Sequence, residues 1–373
     1  MSNRNFSDEQ LREIIALFQV YGDITGVSRY GSGHINDTFK VDLSLGGVPV
    51  SYILQRINDG IFTRPDRVME NIARVTNHIR GKCAGAPDAT RRTLTVIPAC
   101  DGQPVARGPE GGWWRMYVFI AGAKTIDLIE NADQARKAAK AFAGFQNALA
   151  DLPAPRLIDI IPNFHNTVSR LAQLDAARAA DVKGRAASCM PELDFVDARR
   201  AEAATIVDLM ARGDIPERIT HNDTKINNVM LDDVTGEGTH VIDLDTTMPG
   251  CALYDFGDMV RTSTANAAED ERDLAKVYSR KEYFEQLVRG YLGKAKFLNE
   301  AELAHLAFSG RLITLTIGIR FLTDYLAGDV YFHTACDDHN LVRARTQFKM
   351  VRSMEEQAAD YEAIVRAAGK MKC

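Results

Sequence analysis

The period of the apolar positions changes near residue 120. Before it, short apolar runs alternate with turn residues and predict strands over a segment ending at Tyr30 and over 38–43, 50–57, 94–98 and 113–119. LGG at 45–47 and RGPEGG at 107–112 supply the turn signals between them. One helix precedes the strands and another interrupts them. The first follows Ser7, with Gln10 at the capping-box position and Leu11, Ile14, Ile15 and Phe18 on one face. The second, PDRVMENIARVTNHIRG, repeats Val68, Ile72, Val75 and Ile79 at helical spacing and has Gly81 placed to end it. After residue 120 the period is mostly helical, over 131–152, 197–211, 268–293, 301–327 and 340–368.

This order predicts an α+β protein of two lobes: a small β-rich N-terminal lobe over 1–120, with a hinge near 119–121, and a larger, mainly helical C-terminal lobe over 121–373. It is the layout of a kinase. Length alone favours two domains, and 46% apolar with 25% charged residues is ordinary for a folded chain. A formal charge of −5 leaves no basic footprint for nucleic acid. No apolar run approaches the ~18 residues of a spanning helix, and the first residues lack a signal-peptide pattern. No membrane association and a cytoplasmic location are therefore expected. The cysteines (83, 100, 189, 251, 336 and 373) contain no C-x-x-C pair, which suits reduced thiols better than a disulfide frame or a zinc site. H-E-x-x-H, G-x-S-x-G and Walker A patterns are absent.

The chemistry concentrates in ITHNDTKINNVM (219–230), a cluster of one histidine, one aspartate and amides between apolar residues. A polar helix cap or surface turn gives similar letters. Here, however, NNVMLDD and THVIDLD flank the turn VTGEG (234–238) and predict a hairpin. Asn228 opens its first strand and Asp243 lies near the end of the second, so the two are expected to face each other. An amide oxygen beside a carboxylate favours a hard cation such as Mg²⁺ over zinc. Asp223 is five residues before Asn228 and twenty before Asp243, the spacing of a base aspartate ahead of the metal-binding asparagine in kinase catalytic loops. The literal DFG at Asp255-Phe256-Gly257 lies 32 residues after Asp223 and does not end the hairpin. Asp255 is therefore expected to cap or pin the following helix, with Arg261 as a candidate partner, and Asp245, two residues after Asp243, is either a second metal ligand or, by preference, a support for Asp243.

In the N-terminal part, Gly31, Ser32 and Gly33 lie between two strands, where backbone N–H groups can approach phosphates. A tight hairpin explains the same glycines. His34 follows, either reaching the reacting groups or closing that hairpin. YILQRI (52–57) has no lysine to pair the α/β-phosphates, only Gln55 or Arg56, and Glu70 lies opposite the apolar stripe of its helix. Backbone groups at Phe119 and Ile120 are the expected hinge contacts for an adenine.

HxDxxxxN followed by IDxD, with a variant glycine loop, resembles the aminoglycoside phosphotransferase and choline kinase superfamily. Within it, YGSGHINDTF, SYILQRIN, THNDTKINNVMLD, VIDLDTTMPG and IRFLTDYLAGDVYF (319–332) resemble the bacterial N-acetylhexosamine 1-kinases, over nearly the whole chain. That resemblance implies ATP and Mg²⁺ as cofactors and phosphorylation of the anomeric hydroxyl of N-acetylglucosamine or N-acetylgalactosamine. It implies Asp223 as base, Asn228 and Asp243 as magnesium ligands, and Arg320 and Tyr331 as sugar contacts. The residues alone leave two readings of Arg320 open, a sugar contact or a buried partner of Asp324. Other readings stay open: a kinase for homoserine, choline or an aminoglycoside, a metal-dependent glycosyltransferase using D-L-D, or a non-catalytic kinase-like module. Oligomeric state is not legible.

Overall fold

The computed structural model describes residues 5–31 and 35–370. The first elements are α1 (Asp8–Ile15), β1 (Asp23–Arg29), β2 (Asp37–Leu45), β3 (Val48–Ile57), α2 (Pro65–Lys82), β4 (Val96–Ile97), β5 (Ala106–Arg107), β6 (Trp113–Val118) and β7 (Ala123–Lys124). Then come α3 (Ala132–Leu149), α4 (Thr167–Ala180), α5 (Met190–Asp197), α6 (Thr205–Ala211), β8 (Arg218–Thr220), β9 (Val229–Asp232), β10 (Gly238–Val241) and β11 (Met248–Gly250). The chain closes with α7 (Ala252–Thr264), α8 (Lys281–Leu292), α9 (Glu300–Ala304), α10 (Leu306–Ala327), α11 (His339–Glu356) and α12 (Ala358–Lys370). The protein is α+β, β-rich first and helical afterwards. It forms two compact units: Met1–Lys124 with Asp151–Ile161 and Met230–Met248, and Thr125–Ala150 with Pro162–Val229 and Pro249–Cys373.

The first unit is built on an antiparallel sheet ordered β1-β2-β3-β6-β4, with β5 also on β6. Alternation along β2 buries Phe39, Val41 and Leu43, which pack with Leu54, Trp114 and Met116 against Leu11, Ile14, Ile15 and Phe18. Each such side chain, fully buried, contributes about 1.5–3 kcal/mol. The Ser7 capping box forms, with Ser7 Oγ accepting from the Gln10 N–H and Gln10 Oε1 from the Ser7 N–H. Helix α2 buries its expected stripe, but Gly81 lies inside it, and the helix ends at Lys82 with Cys83 as cap. Asn71 on the same helix is buried, donating to the Ile158 and Thr247 carbonyls and accepting from the Ile158 N–H.

The second unit packs α3 on α8, and α10 against α4, α7 and α11. Helix α10 is apolar almost all round. Among the described helices it alone is long and apolar enough to cross a membrane, yet 72% of that window is buried inside the protein. Gly257 lets α7 and α10 close, since a Cβ there would lie 2.5 Å from the Ser309 carbonyl oxygen. The pattern over-reads 268–293: helix begins only at Lys281, because Ser279 bridges Ala265 and ties its hydroxyl to Thr264 and Tyr361. Helices α4 and α5 escape the sequence reading, and 197–211 breaks into a 3₁₀ turn and the short α6.

Candidate active site

Strand β8 runs into His221, which is fully buried with its ring edge-on to Phe142 (5.3 Å) and Phe145 (5.9 Å). Asn222 takes a left-handed conformation (φ 66°), turning the chain sharply before Asp223. Two carboxylates three residues apart on α7 hold this loop. Asp255 accepts the N–H of His221 (2.9 Å) and of Asn222 (2.7 Å), plus the Gln146 side-chain amide (2.7 Å). Asp258 accepts the Thr224 N–H at 2.9 Å, and the Thr224 hydroxyl donates to the Asp255 carbonyl at 2.7 Å. From another side, His165 donates from Nε2 to the Asn222 carbonyl at 3.0 Å, leaving its buried Nδ1 unpartnered. Burial holds His165 neutral, with its pKa down to about 4 against the partly opposing charge of Asp258.

The loop presents Asp223, whose side chain is 25% exposed. Burial works against its ionisation. The Lys225 ammonium at 2.9 Å, with His221 and Arg261, outweighs burial and holds its pKa below the ordinary carboxylate value. Asn228 closes a 3₁₀ turn (Ile226–Asn228) and donates Nδ2 to the Asp223 carbonyl (2.8 Å) and carboxylate (3.1 Å). Its Oδ1 has no hydrogen-bond partner among the described residues, so an amide oxygen is available for a hard cation.

In the first unit, β9 and β10 form the expected hairpin, with Gly236 at φ 65° in its turn. The ladder is shorter than the sequence suggests. Its strands begin at Val229 and end at Val241, so Asn228 and Asp243 both lie outside it. Asp243 takes a left-handed conformation (φ 58°) at the start of a 3₁₀ turn, Leu244–Thr246. Asp245 on that turn is ion-paired through both oxygens to the buried Arg115 of β6, and one oxygen also accepts from Asn36 at 2.7 Å. Gln55 accepts from Arg115 Nε and donates to Thr38, both at 3.0 Å.

Gly31 has φ 81°, with open space where a Cβ would stand. Ser32, Gly33 and His34 lie outside the described residues. The Phe119 N–H closes on the Ser51 carbonyl at 3.0 Å, leaving Ile120 as the next backbone position.

In the second unit, Arg320 of α10 does not pair with Asp324. Its guanidinium stands over the rings of Phe164 (4.9 Å), Phe332 (5.4 Å) and Tyr331 (5.7 Å), with no carboxylate partner among the described residues. Burial lowers its pKa, and Arg261, which also acts on Asp223, lowers it further. Arg170 lies close enough to be driven down to about 10, by burial first and by the Arg320 charge second. Asp324 instead gathers the N–H groups of Val330 (2.9 Å), Tyr331 (2.8 Å) and Phe332 (2.9 Å) and the Asn340 amide (2.8 Å). The loop bearing Tyr331 is thereby fixed, after Gly328 ends α10 at φ 94°.

A model of the phosphotransferase enzyme family matches residues 26–287, well over half of the chain. The chain belongs to that family. Its activity is that of a phosphotransferase. Among solved structures, it is similar to an aminoglycoside phosphotransferase from Alicyclobacillus acidocaldarius (11% identity, 100% of this chain and 97% of that one, TM-score 0.55). It is also similar to a Plasmodium vivax ethanolamine kinase (14%, 86% and 82%, TM-score 0.52) and to a spectinomycin phosphotransferase in complex with ADP and spectinomycin (13%, 98% and 99%, TM-score 0.51). At these identities the likeness is one of fold, the kinase-like fold expected from the order of elements.

In this phosphotransferase, Asp255 does not cap its helix or pair with Arg261, which binds Asp258 (2.9 Å) and Glu269 (3.0 Å) instead. Asp255, Phe256 and Gly257 have separate jobs: gripping the Asp223 loop, filling the core beside Phe284 and Tyr291, and admitting α10. Arg115, Asp258, Asp324 and His165 acquire roles that the sequence did not assign. Only the Asp255/Asp258 pair left a usable signal, two acids three apart in the otherwise apolar stretch ALYDFGDMV that opens α7. No group of three or more His, Cys, Asp or Glu side chains among the described residues is placed to hold a metal.

Proposed function

We propose that this phosphotransferase transfers the γ-phosphoryl group of ATP, with Mg²⁺, to the anomeric hydroxyl of an N-acetylhexosamine. Asp223 accepts the proton of the attacking hydroxyl. A carboxylate held ionised by Lys225, His221 and Arg261 is a weak base, which suits a loose transition state in which positioning and charge stabilisation supply most of the rate. Asn228, through the oxygen left when its nitrogen binds Asp223, and Asp243 are the side chains that would hold Mg²⁺. The ion, when bound, neutralises charge on the β- and γ-phosphates. Two protein ligands suit magnesium, which keeps waters and substrate phosphates in its remaining positions. ADP in the spectinomycin phosphotransferase complex supports a nucleotide donor. Gly31, Ser32, Gly33, Gln55 and the backbone at 119–120 remain the proposed nucleotide contacts.

One observation carries the acceptor: Arg320 stands among three aromatic rings without a carboxylate partner, and Arg170 beside it is likewise unpaired with any acid among the described residues. Two guanidinium groups repel a cationic acceptor such as choline or an aminoglycoside. They suit a neutral sugar whose acetamido carbonyl accepts a hydrogen bond while its ring face meets Tyr331. The test is coupled ADP release with N-acetylglucosamine, N-acetylgalactosamine, free hexoses, choline, homoserine and kanamycin. Turnover confined to the N-acetylhexosamines supports the reading, and turnover confined to choline or kanamycin refutes it.

A further inference from the structure

Kinases commonly anchor the α/β-phosphates with a lysine on the third strand paired to a helical glutamate. The lysines of the first unit are Lys40, Lys82 and Lys124, and none takes that part. Lys40 pairs with Asp42 at 2.7 Å, Lys82 with Asp151, and Lys124 lies on β7. Arg56 of β3 is 7% exposed and lies 3.8 Å from Asp59, whereas the most enclosed cation among the described residues of the unit comes from the neighbouring strand. Arg115 sits opposite Gln55 in the β3–β6 register and is 1% exposed. Every nitrogen of its guanidinium is engaged. Both terminal nitrogens meet Asp245, one of them also meets Met69 Sδ on α2 (3.8 Å), and Nε meets Gln55.

Asp245 is equally enclosed, with a side chain 3% exposed and Asn36 donating to it. Asn36 in turn accepts the Asn58 N–H at 3.0 Å, so one network ties β2, β3, β6 and α2 to the turn Leu244–Thr246. Two residues earlier, Asp243 keeps a positive φ, a conformation that a non-glycine residue holds only when its surroundings enforce it. A buried ion pair is a poor source of stability, because apolar residues of the same volume do as well or better. Its use lies in direction.

We propose that Arg115, acting through Asp245, is a positioning residue that fixes the turn so that Asp243 presents its carboxylate to the magnesium–nucleotide complex. The orienting ion pair is thereby moved from the third strand to β6. This rests on the reading of Asp243 as a metal ligand. The experiment compares Arg115→Met, Arg115→Lys, the paired replacement Arg115→Met/Asp245→Leu, and Asp243→Ala, all in the full chain. ADP affinity is measured by titration calorimetry with Mg²⁺ and with EDTA, alongside the thermal midpoint and the KM of the sugar.

The paired replacement leaves no buried charge unpartnered, so its thermal midpoint stays near that of the parent. Its affinity for ADP with Mg²⁺ falls about 10- to 100-fold, the range for losing a group that orients a metal ligand. Affinity in EDTA and the sugar KM stay unchanged, and Arg115→Lys recovers part of the loss. Parent-like magnesium-dependent affinity in the paired replacement, with Asp243→Ala impaired, overturns the positioning role alone. Parent-like affinity in Asp243→Ala overturns the metal reading and the proposal with it.

Discussion

Asp255 on α7 accepts the backbone N–H of His221 at 2.9 Å, so a buried helix grips the loop that presents Asp223. Burial pushes the Asp255 pKa up to about 6, although His221, two backbone N–H groups and Gln146 favour its charged form. The ionised carboxylate serves the loop because it accepts from both N–H groups at once.

Asp255→Asn places an NH₂ group against a backbone donor and frees part of the loop. kcat is expected to fall about 100-fold, the scale of an ångström-sized misplacement, with the ATP KM changed little. Steady-state kinetics check this, and Asp255→Ala is expected to fall at least as far.

The same group sets an acid limb. Its folded pKa is raised, so the native state holds the proton more tightly between about pH 4 and 6. Its share of stability is therefore greatest at low pH and declines as pH rises through about 6. Activity runs the other way, falling as the pH drops through about 6. Asp223 stays ionised well below that point. The kcat–pH profile of the parent is expected to show this limb and that of Asp255→Asn to lack it.

His165 carries the opposite stability sign. Burial depresses its folded pKa to about 4 from an ordinary 6.5, so the neutral ring's contribution is complete above about 6.5 and is lost as pH falls toward 4. It faces Asp258, Arg320 and Arg170, and protonation would bury an unpartnered Nδ1–H. Urea unfolding at pH 7 and pH 5 is expected to show the parent losing more than His165→Gln, by up to about 1.4 kcal/mol per pH unit in that window.

Asp324 accepts three backbone N–H groups and the Asn340 amide, and the Tyr331 loop depends on it. Asp324→Ala is expected to destabilise the protein by at least about 3 kcal/mol, since each hydrogen bond to a charged group contributes roughly 1.5–3. The acceptor KM should rise about tenfold while the ATP KM holds. Thermal unfolding and two-substrate kinetics separate the effects.

Arg320→Met removes the guanidinium and leaves the rings. The N-acetylhexosamine KM is expected to rise at least tenfold, with the ATP KM unchanged. Arg320→Lys should not restore it, because an ammonium lacks the planar donor fork. A kinetic panel of the two variants checks this.

The period change near residue 120, the capping box at Ser7 and the stripe of α2 were all legible, because each is a local pattern with one physical cause. So was the loop at 219–230, whose polar residues between apolar walls announce a satisfied polar cluster. Asp324 and Arg115 were not legible: their partners lie six or more residues away, and 130 residues away in the case of Asp245. Helical letters over 268–280 misled for the same reason, since Ser279 is held by Thr264, Ser353 and Tyr361 rather than by its neighbours.

The central claim is tested most directly by ³¹P NMR of the product formed from ATP, Mg²⁺ and N-acetylglucosamine by the parent and by Asp223→Ala. The account predicts an anomeric sugar phosphate from the parent and none from the variant, with ADP still bound by both. A phosphate on another hydroxyl, or undiminished product from Asp223→Ala, would contradict it.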